Sequence, residues 1–107
     1  MTAALQALQD QYDFLTANLP KLLEACNGDA GKENQINAQY AACEANYTSC
    51  INNIFNDDDP NVQTLVAQMK IQQAALAQAV QHLNNTAGAI TAITTAVQTG
   101  ASLAAKV

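Results

Sequence analysis

Apolar residues recur along the chain in alternating steps of three and four, the spacing that keeps one face of a helix turned toward a partner. A first seam runs Leu5, Leu8, Tyr12, Leu15, Leu19, Leu22, Cys26, and a second Ile36, Tyr40, Cys43, Tyr47, Cys50, Ile54. A third runs Val62, Val66, Met69, Gln73, Leu76, Val80, Leu83, Ala87, Ile90, Thr94, Val97, Ala101, Ala104. No strand-like alternation competes with them. The pattern predicts an all-α protein, an antiparallel helical bundle in a single domain spanning residues 1–107. It has either four helices, at about 3–26, 32–55, 60–84 and 86–105, or a helical hairpin plus one long C-terminal helix.

The breaks between seams carry their own chemistry. Asn27 and Gly28 in NGDAG suit a left-handed helix stop. In NDDDP, Asp59 suits an N-cap with Pro60 at the first helical position, and the acidic side chains favour the positive end of the helix that follows. Pro20 removes a backbone hydrogen bond within the first seam and predicts a kink or a break there, but Leu19, Leu22 and Cys26 continue the phase, so the segment is kept as one element.

A short first connection makes helices one and two antiparallel, pairing positions whose numbers sum to about 59. That register sets Leu5 against Ile54, Tyr12 against Tyr47, Leu15 near Cys43 and Leu19 against Tyr40. It also separates the thiols. Cys43 and Cys50 lie about 10.5 Å apart in rise and Cys26 about 15 Å from the level of Cys43, whereas bridged Cα atoms rarely exceed about 7 Å. No intrachain disulfide is expected, and Cys43 and Cys50 read as small buried hydrophobes.

As one helix the third seam would be about 65 Å long against about 36 Å for each partner. The overhang, with Ile90, Ile93, Val97 and Leu103, would then need a second chain to cover it. A break at LNNTAG, residues 83–88, with Thr86 as the cap, makes a self-contained bundle instead. Unbroken phase favours continuity; matched lengths and the weak helix formers Asn84, Asn85, Thr86 and Gly88 favour the break, which we adopt.

The C-terminal stretch GAITAITTAVQTGASLA has small residues at every fourth position: Gly88, Ala92, Ala96, Gly100 and Ala104. Such a row forms a shallow groove that admits a neighbouring backbone closely, in water or in lipid. In an Ala-rich chain chance alone places many of them. From Ile71 to Ala105 only His82 can carry charge, yet the threonines and glycines leave too few large apolar residues for a stable membrane span.

Composition narrows the partners. Four Lys and Arg stand against nine Asp and Glu, a formal net charge of −5, which disfavours a sequence-independent grip on nucleic acid or anionic lipid. The absence of a recognisable signal peptide and the odd count of three cysteines favour a cytoplasmic location.

Assembled chemistry is scarce. One histidine, His82, excludes two-histidine metal sites, and there is no Cys-x-x-Cys pair. An EF-hand starting at Asp57 would need an acid where Gln68 stands. No glycine has a phosphate-loop context. If helix three folds back along helix two, His82 reaches the same end of the bundle as Cys26, where a thiolate and an imidazole could meet, but the two read as unrelated residues near a turn. Asn46 and Asn84 match the glycosylation pattern.

The expectation is therefore a small, non-enzymatic interaction or assembly module working through helix-to-helix contact, without cofactor or metal. Its partner would be another protein or a second copy, and the interaction surface would comprise Gly88, Ile90, Ala92, Ile93, Ala96, Val97, Gly100 and Leu103. The alternative is a membrane-active or secreted helical protein that uses the charge-free C-terminal segment.

Overall fold

The structure, a computed structural model, describes residues 2–107. Among them are four helices and no strand: α1 (Ala3–Glu24), α2 (Ala30–Thr48), α3 (Pro60–Gln81) and α4 (Thr86–Ala104), packed as an antiparallel bundle. Local chemistry sets each start. Thr2, Asp29, Asp59 and Asn85 each accept a hydrogen bond from a backbone N–H of the first turn, satisfying donors that have no partner within the helix. Pro60 follows Asp59 at the first helical position, where its missing N–H costs nothing. The fourth cap is Asn85, whose Oδ1 takes the Gly88 N–H at 3.0 Å. Thr86, expected as the cap, is instead the first residue of α4.

The break between α3 and α4 falls at residues 82–85, so the third seam is two helices. α1 runs through Pro20 as one helix; Pro20 and Thr16, whose carbonyl loses its donor, are both exposed, so water can serve that oxygen.

The second helix is shorter than its seam, ending at Thr48 where the pattern predicted about residue 55. Beyond it Cys50 N–H bonds Tyr47 C=O and Asn53 N–H bonds Cys50 C=O, while Asn53 Nδ2 caps Ser49 C=O. Ser49, Asn52 and Asn53 form backbone bonds outside a helix readily. Leaving the helix swings Phe55 inward to 3% exposure and Ile54 out to 89%. The expected Leu5–Ile54 layer is thus replaced by Phe55, packed among Leu8, Cys50, Val62, Val66 and Leu103. An aromatic ring buries more area than an isoleucine, which favours this exchange.

Three polar contacts fix how the hairpins meet. Lys32 bonds Thr86, Asn46 bonds Val97 C=O and Cys50 bonds Ala104 C=O, a near-constant offset that sets α2 and α4 side by side and parallel. α1 packs on α2 and on α3, and α3 on α4, whereas α2 and α3 occupy opposite corners without touching. The 49–59 connection therefore crosses a diagonal of the bundle.

The core is in two parts. Leu15, Leu22, Cys26, Ile36, Cys43, Leu76, Val80, Ile93, Ala96 and Val97 fill one end, and Ala4, Leu8, Cys50, Phe55, Val62, Val66, Met69 and Leu103 the other. Between them lies a polar layer.

Candidate functional site

The polar layer is built from three amides, one on each of α1, α2 and α3, all directed at the same stretch of α4. Gln11, 2% exposed, donates from Nε2 to Ala96 C=O at 2.9 Å and accepts at Oε1 from the Cys43 thiol at 3.5 Å. Asn46 donates from Nδ2 to Val97 C=O at 3.2 Å, and Gln72 from Nε2 to Thr99 Oγ1 at 2.9 Å. Gln72 Oε1 is buried and finds no partner among the described residues.

Helix carbonyls that already serve their own ladder are normally screened by the side chain one turn on. Here that residue after Ala96 is Gly100, and a Cβ there would stand 3.0 Å from Gln11 Oε1 and 3.3 Å from Asn46 Nδ2. Ala96 and Gly100 thus make room inside the bundle for the amides that hold it.

This locates the residues singled out from the sequence. Ile93, Ala96, Val97, Gly100 and Leu103 are buried within the chain's own bundle. Ile90 and Ala92 are half-buried and Gly88 is exposed. The buried stripe of α4 is Ala89, Ile93, Ala96, Gly100 and Leu103, with Val97 beside it. From Ala89 onward that stripe lies one residue before the continued third seam, Ile90, Thr94, Val97, Ala101 and Ala104, because the 82–85 turn resets the phase. Gln11 was missed as a core residue because a polar side chain interrupts the seam; its place between Leu8 and Leu15 was the available signal.

Outside the core, Tyr12 stacks between Tyr40 (centroids 5.8 Å) and Tyr47 (5.6 Å) along the α1–α2 seam. The expected Tyr12–Tyr47 pairing is present. Tyr40 shares a hydrogen with Thr16 Oγ1 at 2.8 Å, and Tyr12 reaches Glu44 at 3.4 Å. Hydrogen bonding with Tyr40, then desolvation and the charges nearby, push the Tyr12 hydroxyl up to about 12, so it stays protonated. The rings clasp the first hairpin.

The surface beside the seam of α2 and α4 has a groove of about 390 Å³ lined by Gln35, Ala38, Gln39, Ile90, Thr91, Thr94 and Thr95, with no charged residue. Thr91 and Thr94 bond back to the carbonyls of Ala87 and Ile90. With these two hydroxyls donating within their own helix, Thr91 and Thr94 offer a neighbour their methyls more than their hydroxyl protons.

The thiols are free and buried. Cys26 donates to Leu22 C=O at 3.4 Å; burial, then Glu33 and Asp29, raise its pKa against the opposing effect of Lys32, which disfavours the nucleophilic thiolate. His82 is exposed at the end of α3, and among the described residues no hydrogen bond joins it to Cys26. Asn46, in one glycosylation pattern, has its amide nitrogen committed to Val97. Among the described residues no three His, Cys, Asp or Glu side chains gather as a metal site, and no helix is long and apolar enough to cross a membrane. Comparison with protein-family models, with curated proteins and with solved structures finds no match to this chain.

Proposed function

We propose that the protein is a non-catalytic helical interaction module whose uncharged face, centred on α4 and the groove beside α2, docks the same face of a second copy. The observation that carries this reading is the groove itself, where seven residues contribute amides, methyls and one half-buried isoleucine but no charge. A net charge of −5 makes two copies repel, and α4 has no charged residue at all, so its face is where they approach at least electrostatic cost. Ala38 leaves the floor shallow enough for helix-to-helix approach. Ile90, expected at the interface, lines it.

Sedimentation equilibrium over a wide concentration range tests the reading. The wild type is expected to rise above the 11.3 kDa chain mass with concentration. Ala38→Arg and Thr95→Arg, at exposed positions, should hold it at the monomer while keeping the helical circular dichroism signal. A strict monomer at millimolar concentration, or association that both arginines leave unchanged, would overturn the proposal.

A further inference from the structure

The turn between α1 and α2 has a chemistry independent of any docking surface. Asn27 and Gly28 both take positive φ, 51° and 82°, and Asp29 N–H closes onto Cys26 C=O at 3.0 Å. That is the pattern of a type I′ turn, for which Asn-Gly is the favoured central pair. Of the eleven asparagines in the chain, Asn27 alone precedes glycine.

We infer that Asn27 is the chain's site of spontaneous deamidation, with the Gly28 amide nitrogen as the attacking group. That nitrogen bonds to the Asn27 side-chain carbonyl carbon, the carbon's bond to its amide nitrogen breaks, and the Gly28 proton leaves with the departing nitrogen as ammonia. The five-membered imide then takes up one water across either of its two ring carbon–nitrogen bonds. One opening makes aspartate at position 27, the other an isoaspartate with the main chain routed through the side-chain carbon. No electron is gained or lost overall, and water is the only co-reactant.

Three features of the turn favour the attack. Gly28 has no side chain to shield its nitrogen, and a Cβ built there meets nothing within 4 Å. Among the described residues the Gly28 N–H makes no hydrogen bond, since the turn is closed by Asp29. Asn27 is exposed with its amide uncommitted, whereas the side chains of Asn18, Asn46, Asn53 and Asn85 bond Phe14 C=O, Val97 C=O, Ser49 C=O and Gly88 N–H. The product matters to the fold. An isoaspartate adds a main-chain atom to a turn of two residues and sets a new negative charge just past the C-terminus of α1, near Glu24 and Asp29, where the helix dipole opposes it.

The test incubates the folded full-length chain at mildly alkaline pH and physiological temperature, then maps aspartate and isoaspartate by peptide mass spectrometry. The chain in urea and the Asn27→Gly variant, which suits the positive φ, run in parallel. Conversion at residue 27 is expected to run several-fold faster than at any other asparagine, to approach its rate in urea, and to vanish in Asn27→Gly with helicity unchanged. The purified isoaspartate form should unfold at a lower urea concentration than fresh protein. Folded protein that keeps Asn27 intact while the urea sample converts, or that converts as fast at another asparagine, would overturn the inference.

Discussion

At Gly100 the absence of a side chain is itself a contact surface. Replacing it with alanine in an ordinary exposed helix stabilises by about 1 kcal/mol. Here the new Cβ meets Gln11 Oε1 at 3.0 Å, and a buried amide that loses its partners costs about 1–3 kcal/mol. Gly100→Ala should therefore lower stability by about 1 kcal/mol, read from the urea midpoint. Cys43 tests the same layer through pH. Burial raises its thiol from 9.0 to about 12, so below pH 9 both states hold the proton and above it only the unfolded chain releases one. Stability should fall as pH rises from 9 to 12. Cys43→Ala should flatten that slope even though its cavity lowers stability overall. The burial of Cys43 was legible in the seam spacing, whereas the amide layer was not: the seams took in Tyr12 and passed over Gln11, because hydropathy does not register an amide whose partner is a backbone carbonyl on another helix.

Among the elements, legibility followed the local chemistry. Asp59 with Pro60, and Asn27 with Gly28, marked a start and a stop because those residue types act on their own backbone. The same reasoning explains the break after α3, where Asn85 caps α4 through Gly88 N–H. Gly88→Ala would bring a Cβ to 2.6 Å from Asn85 Nδ2, so it should destabilise α4 although its position is exposed. Asn85→Ala should cost about 0.5–2 kcal/mol, and the double variant should cost less than the two single losses together, since both act on one cap. Thermal unfolding of the four proteins checks this. The early end of α2 was not legible, because the Cys50 and Ile54 spacing continues a helical phase past Thr48. The Asn53 cap on Ser49 C=O and the burial of Phe55 beside Val62 and Leu8 together decide against it.

For the whole molecule, the seam spacing predicted helices and one hairpin register but not which helices are neighbours. The long connection of residues 49–59 permits α3 to settle beside α1, and the amides then place α4 beside α2. In that arrangement the small-residue row of α4 is divided. Ala96 and Gly100 face inward, while the groove outside is left to Thr91, Thr94 and Thr95. The central claim is that one chain buries Ala96, Val97, Gly100 and Leu103 by itself. Amide hydrogen exchange measured across protein concentration tests it most directly. The amides of these four residues should be as protected as those of Leu8 and Leu76 in dilute monomeric solution, with no change on concentration. Labile α4 amides in dilute protein that become protected only as the concentration rises would contradict it, since the seam would then be covered by another chain.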